Sequence, residues 1–316
     1  MPFDFLILKT LLLGGTRFVG KSLLPLLLSK GHELTLFTRG NRSVPEGVEH
    51  LKGDRDVRES LNILDGRKFD VIIDISGREL DQTQKVLELT GFPSHRFLYV
   101  SSAGVYANSQ TWPLDENSPT DPNSRHIGKV KTENWLALNG VPFTSFRPTY
   151  IYGPGNYNPI EKWFFDRIIN DKPVPLPSNG SWITQLGHVN DLAEAMCKSL
   201  DIDIAMNRIY NCSGEKGITF QGIIETAAKA CGRNVDKLKI CAFDPIRLDP
   251  KARKAFPLRI CHFLTDISLA QRELDWSPSF DLLEGFKDSF QNDYILKTSN
   301  DIDFSSDQIL FDSLNN

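Results

Sequence analysis

An α/β fold built on a doubly wound parallel sheet, with a smaller C-terminal substrate lobe, is what this sequence predicts, and three observations predict it. Short, continuously apolar runs recur through the first half, the pattern of parallel strands covered on both faces. Helical patterns separate those runs. A glycine-rich turn follows the first run directly.

The first run, Leu8 to Leu13, continues an apolar stretch that begins at Phe3. With no basic segment before it and no small-residue cleavage site after it, the stretch reads as a buried strand and not as a secretory signal. A helix is expected from Lys21 to Lys30, and further strands at Glu33 to Thr38, Val71 to Ile75, Phe97 to Val100 and Phe143 to Phe146. Right-handed crossovers between such strands put the ligand crevice at their carboxyl ends. Beyond Phe146 the texture becomes rich in Tyr, Trp and Pro, over Arg147 to Tyr157 and Lys172 to Pro177, which suits a substrate pocket. Helical patterns at Asp191 to Leu200 and Phe220 to Cys231, with a strand near Arg208 to Asn211, predict a return to the main sheet. The expected division is 1–152 with 186–212 for the sheet domain, and 153–185 with 213–295 for the lobe. Residues 296–316 are polar and acidic and are expected to dock loosely.

A net charge of −4 excludes a global attraction to nucleic acid or anionic membranes, so any polyanion site must be a local basic patch. Five cysteines, all in the second half, make no CxxC or Cys/His metal spacing and are expected to be reduced thiols of a cytosol. No apolar stretch approaches the ~20 residues that a membrane span requires.

Gly14-Gly15-Thr16-Arg17-Phe18-Val19-Gly20 lies between the first strand and the first helix, the context of a dinucleotide-binding, Rossmann-type phosphate loop. In a G-x-x-G-x-x-G register Gly14 makes the tight turn and Gly20 lets the helix pack on the sheet, but Arg17 replaces the middle glycine. Either Arg17 contacts a phosphate, or it marks a weakened cofactor site. The second strand ends in Thr38-Arg39-Gly40-Asn41-Arg42, with no carboxylate for a ribose 2′-hydroxyl and two guanidiniums suited to a 2′-phosphate. A bound cofactor would therefore be NADP before NAD, unless these are solvated turn arginines. Asp54 either meets an adenine amino group or is a turn aspartate.

Hydride chemistry in this fold needs a phenol to donate a proton, a lysine to lower its pKa and hold the ribose, and a hydroxyl to orient substrate. Phe97-Leu-Tyr-Val-Ser-Ser-Ala-Gly-Val-Tyr106 and Arg125-His-Ile-Gly-Lys129 resemble the serine strand and the Tyr-x-x-x-Lys helix of extended short-chain dehydrogenases, and that resemblance implies the hydroxyl position for Ser102, the lysine position for Lys129 and the tyrosine position for Arg125. A guanidinium has no proton to give at neutral pH. Surrogates would be Tyr106, Tyr152 or His126, although on a helix His126 would point about 100° away from residue 125. Without one, Ser102 and Lys129 are inherited scaffold.

Together with Arg147-Pro-Thr-Tyr-Ile-Tyr-Gly-Pro-Gly155 and Gln185-Leu-Gly-His-Val-Asn-Asp191, these motifs resemble extended short-chain dehydrogenases/reductases of the NAD-dependent epimerase/dehydratase kind, over roughly residues 8–292. Gly14 to Gly20, Ser124-Arg-His-x-Gly-Lys129, Gly153-Pro-Gly-Asn-Tyr-Asn158 and Phe256-Pro-x-Arg259 with His262-Phe263 resemble the chloroplast stem-loop-binding proteins and their cyanobacterial relatives. That resemblance implies binding of structured RNA, endonuclease activity in some members, association with ribosomes and transcripts, and residence in a plastid stroma or a cyanobacterial cytoplasm. The absence of a Ser- and Arg-rich transit segment after Met1 fits a cyanobacterial chain or a mature plastid form. Whether the chain self-associates stays open.

The residues give RNA one further support. Between Arg233 and Arg259, Arg233, Lys237, Lys239, Arg247, Lys251, Arg253, Lys254 and Arg259 face only Asp236, Asp244 and Asp249, a local surplus of five positive charges. Lys251, Arg253, Lys254 and Arg259 are the candidate RNA contacts, set against the alternative of a solvated basic face. No metal site is expected, since Asp191, near His188, would cap the helix that starts there. If RNA cleavage needs a divalent ion, Asp54 and Asp74 are candidates to hold it.

Overall fold

The computed structural model describes residues 7–250, 252–297 and 302–312. In chain order its elements are β1 (Lys9–Leu13), α1 (Val19–Ser29), β2 (Glu33–Thr38), β3 (Glu49–Lys52), α2 (Arg58–Leu61), β4 (Val71–Asp74), α3 (Leu80–Thr90), β5 (Arg96–Val100), α4 (Ile127–Leu138), β6 (Phe143–Pro148), β7 (Tyr150–Tyr152) and α5 (Ile160–Ile169). There follow β8 (Val174–Pro177), β9 (Ile183–Thr184), β10 (Leu186–His188), α6 (Val189–Ser199), β11 (Arg208–Cys212), β12 (Ile218–Thr219) and α7 (Phe220–Ala230). The chain finishes with β13 (Ile240–Phe243), α8 (Ser268–Leu274), α9 (Leu282–Ser289), α10 (Ile295–Lys297) and α11 (Ser305–Asp312).

Two compact units share these elements. The first takes Met1–Thr149, Val189–Ser213 and Thr265–Ser277; the second takes Tyr150–His188, Gly214–Leu264 and Pro278–Asn316. The first unit holds a seven-stranded sheet in the order β11-β6-β5-β4-β1-β2-β3, with every pairing parallel. Strands β4, β5 and β6 are buried throughout their length, which explains their apolar sequences. Leu11, Leu13, Ile72, Phe97, Tyr99 and Phe143 sit at the centre of its core.

Thr265–Ser277, which the sequence suggests for the lobe, joins the first unit. Side-chain bonds to distant backbone and strand residues hold it there: Trp276 Nε1 donates to the Asp191 carbonyl at 3.0 Å, and the Tyr210 hydroxyl to Glu273 at 2.8 Å. Helix α6 begins at Val189, directly after β10 in the chain and two residues before the expected start. Asp191 is thus not the cap but a buried residue of the first turn, where a carboxylate suits the positive end of the helix dipole.

The second unit packs an aromatic core of Phe164, Phe165, Phe220, Phe243, Phe256 and Phe286, with three two-stranded ladders around it. The described part of the C-terminal segment is anchored more firmly than its polar composition suggests. Asp307 is buried in an ion pair with Arg167 of α5, and Leu310 is fully buried.

Candidate functional site

At the carboxyl end of β1 the chain must turn sharply and start a helix. Gly14 and Gly15 do so at φ of 106° and 101°, angles that a side chain resists. A Cβ on Gly20 would lie 2.2 Å from the Gly15 Cα, so α1 reaches this closeness to the turn only with glycine at position 20. After Arg17, Phe18 takes the strained φ of 40° that glycine favours, and α1 starts without a side-chain cap or an acidic first turn. A helix N-terminus so placed receives the negative charge of a diphosphate. Arg17 is exposed, while Thr16 is half-buried and Val19 buried. The glycine cradle and the uncapped helix fit a dinucleotide.

Gly53 N donates to the Thr38 carbonyl at 2.9 Å, so Arg39 and Asp54 leave neighbouring strand ends. Arg39 and Arg42 are exposed. Asp54 accepts the Asp56 N–H at 3.0 Å in a turn of its own. One residue on, Arg55 spans to the end of β4, placing Nη1 2.6 Å and Nη2 2.8 Å from the two oxygens of Asp74. Asp74 also accepts the N–H groups of Ser76 and Gly77, at 3.0 and 2.7 Å. Burial alone would raise the Asp74 pKa; the Arg55 charge and these hydrogen bonds bring it below the ordinary carboxylate value. The expectation that Asp74 is available to a divalent ion is therefore corrected, because its oxygens are already engaged. Among the described residues no three His, Cys, Asp or Glu side chains are grouped to hold a metal ion. Sequence reasoning missed Arg55; its signal was an arginine directly after Gly53-Asp54 and an aspartate ending the β4 run.

At the end of β5, Ser102 accepts the Gly104 N–H at 3.0 Å and caps a short 3-10 turn over 103–105. Lys129 Nζ donates to the carbonyls of Gly77 and Val100, at 3.0 and 2.6 Å. Burial brings its pKa down to about 8, although Asp74 and Glu133 pull the other way. Helix α4 begins only at Ile127, so Arg125 and His126 precede it and the helical 100° argument does not apply. Ser124 Oγ donates to the Gly104 carbonyl at 2.8 Å and accepts the His126 N–H at 3.1 Å, which fixes this segment on the turn. As a result His126 Nε2 and Ser102 Oγ each lie 3.0 Å from where a Gly104 Cβ would stand. Exposed Arg125 donates from Nε to His126 Nε2 at 3.0 Å.

The other proposed surrogates are engaged elsewhere. The Tyr106 hydroxyl is buried, donates to Asn211 at 2.7 Å, and is pushed up to about 12 by burial, with Arg147 opposing. Tyr152 belongs to the second unit, where its ring is buried against Phe286. His188 pairs with Asp288 at 3.1 Å and stacks on Phe280. Beneath α4, Arg147 Nη2 meets Glu133 at 2.7 Å, a buried pair the sequence did not announce.

In the second unit the basic segment divides. Arg233 and Lys239 donate to the carbonyls of Ile169 and Asp171, and Arg247 pairs with Asp244. Arg253 is exposed, with Nε 3.1 Å from the Pro245 carbonyl, and Lys254 is exposed on the same turn. The Arg259 guanidinium lies 5.1 Å from the Phe263 ring centre. Lys251 falls outside the described residues.

Residues 10–213 match the model of the NAD-dependent epimerase/dehydratase family. The chain is 41% identical to chloroplast stem-loop binding protein of 41 kDa b from Arabidopsis thaliana, across 96% of this chain and 84% of that protein. It is 24% identical to the UDP-glucose 4-epimerase of Corynebacterium glutamicum, across 86% and 91%. Among solved structures, the Thermus thermophilus UDP-glucose 4-epimerase in complex with NAD is similar at a TM-score of 0.71 and 17% identity, over 90% of this chain and 98% of that one. The Bacillus cereus UDP-glucuronic acid 4-epimerase, in complex with UDP-glucuronic acid and NAD, is similar at 0.71 and 17%, over 92% and 100%.

Proposed function

The chain belongs to the NAD-dependent epimerase/dehydratase family, and from that membership we propose that it is a binder of structured RNA on a dehydrogenase scaffold that keeps its nucleotide pocket. The observation that carries this reading is the 41% identity, across 96% of the chain, with a protein named for stem-loop binding. Arg125 supports it, because a guanidinium at the tyrosine position cannot run the proton transfer of an epimerase. RNA is bound through Arg253, Lys254 and Arg259, with Lys251, and endonucleolytic cleavage and ribosome or transcript association belong to the same reading. NADP is retained as a structural or regulatory ligand on Gly14 to Gly20, Arg39, Asp54 and Lys129. The setting is a plastid stroma or a cyanobacterial cytoplasm. No described helix is long and apolar enough to cross a membrane.

A second reading has its own support in the placement of His126 beside Ser102. There the chain is an NADP-dependent epimerase, dehydratase or reductase in which Ser102 orients a substrate oxygen and His126 exchanges a proton with it. The nicotinamide ring would supply hydride transfer when bound.

Titration of a fluorescent stem-loop RNA at several salt concentrations, with duplex DNA as competitor, tests the first reading. We expect sub-micromolar binding that weakens steeply with salt and resists the DNA. Arg253→Glu with Lys254→Glu should lower affinity about tenfold and the salt slope by about two. Binding no tighter than roughly 100 μM, the non-specific level, would sink the reading.

A further inference from the structure

In the second unit, the basic turn and the helix α11 are built on one patch of core. Ala252–Ala255 form a 3-10 turn whose two alanines pack against a cluster that includes Phe256 and Leu310, while Arg253 and Lys254 between them are exposed. Leu310 comes from α11, which lies against this turn and against β13. One face of α11 is buried, through Asp307 and Leu310 three residues apart, whereas Gln308, Ile309 and Asp312 are exposed. A second link runs through α5. Asp307 accepts from Arg167 Nε at 3.0 Å and from Nη2, and the guanidinium lies 3.5 Å from the centre of the Trp163 ring. Trp163 in turn meets Phe256 edge to face at 5.5 Å, and Phe256 directly follows the turn.

The turn is weak by itself. Its backbone is held by the Arg253 N–H on the Asp249 carbonyl at 3.1 Å and the Phe256 N–H on the Arg253 carbonyl at 3.3 Å. A 3-10 turn of this length has poor hydrogen-bond geometry, and its two adjacent cations repel each other. Its order therefore depends on the core beneath it, to which α11 supplies Leu310. The exposed cations of such a turn bind phosphates better when they are already held in place, because less conformational freedom is lost on binding.

We propose that α11 is a positioning element for RNA: docked through Asp307 and Leu310, it holds the 252–255 turn in the shape that presents Arg253 and Lys254 to phosphates. This rests on the proposed RNA reading and names the control of that same site. Docking of α11 raises affinity without adding a contact to the RNA. A protein that sequesters α11, or a protease that cuts the chain before it, would lower RNA affinity while every phosphate-binding side chain stays in the molecule.

Two measurements on the full chain test this: hydrogen exchange followed by mass spectrometry, and titration of a fluorescent stem-loop RNA at several salt concentrations. The proteins are the unaltered chain, Leu310→Asp, which undocks α11, Asp307→Asn, which weakens its docking, and Leu310→Met as the conservative control. In Leu310→Asp the turn amides should exchange at least about tenfold faster, while those of α7 exchange as before. RNA affinity should fall roughly 5- to 100-fold, the cost of ordering two long side chains, with the salt slope unchanged because the phosphate contacts are the same. Asp307→Asn should move both readouts in the same direction by less, and Leu310→Met should restore both. Unchanged exchange at the turn, with α11 itself exchanging freely, overturns the proposal. Tighter RNA binding also overturns it, since α11 would then act by shielding the turn with its own carboxylates. If α7 loses protection in Leu310→Asp, the unit is damaged as a whole and Asp307→Asn decides. If the unaltered chain does not bind the stem-loop, the RNA reading fails and control of binding falls with it; the exchange arm, which needs no RNA, tells that failure apart from a turn that never depended on α11.

Discussion

Two neighbouring groups of strand ends in one sheet differ in what they carry. At the ends of β1 to β4 lie the glycine turn, the start of α1 without a side-chain cap, and the Arg55–Asp74 pair. At the end of β5, Ser102 caps a 3-10 turn and Lys129 is tied to the Gly77 and Val100 carbonyls, while Arg125 stands outside the helix and His126 lies against Gly104. The glycine turn is set by backbone shape, whereas a proton donor at position 125 would be set by a single side chain.

Gly20→Ala should have the largest effect on that contrast. The new methyl would meet the Gly15 backbone at 2.2 Å, so we expect a loss of about 3 kcal/mol in denaturant unfolding and at least a tenfold loss of NADP affinity. Retained affinity would mean that the glycine end is not the nucleotide site, and the comparison would break.

The next effect concerns Lys129. Its folded-state pKa is depressed from 10.5 to about 8, so between those values the unfolded chain binds the proton that the folded chain has released. Stability must therefore rise with pH across this window, and the buried charge costs most at neutral pH. Unfolding in urea at pH 7.5 and 9.5, for the native chain and Lys129→Met, should show the native chain gaining on the variant at the higher pH. An unchanged gap would indicate that the lysine is well solvated.

Arg125→Tyr is expected to have the smallest effect. Because residue 125 precedes α4 and its neighbour His126 already lies against Gly104, a phenol there should yield no NADP-dependent turnover of UDP-glucose above background. Measurable turnover would show that only the proton donor was missing, and the two ends would then be equally complete.

What the sequence discloses follows the range of the interaction. Gly14 to Gly20 is readable because a turn between adjacent elements is a local event with a fixed glycine requirement. The parallel strands are readable because burial on both faces demands apolar runs. His126 was misjudged because its direction depends on whether α4 starts at residue 125 or at 127, a boundary that Ser124 decides through its bonds to Gly104 and His126. Arg55 and Asp74 are 19 residues apart and meet only once the strand order is set. Their pairing has no local pattern, and the same holds for Glu133 with Arg147.

The bond between Arg167 and Asp307 joins residues 140 positions apart. During synthesis the arginine emerges long before its counter-charge exists, and until then it must remain solvated or find a substitute. The Arg167 guanidinium can thus reach its final pairing only once residue 307 has been made, and until then the Trp163 ring and carbonyl and the nearby Asp166 charge are the partners at hand.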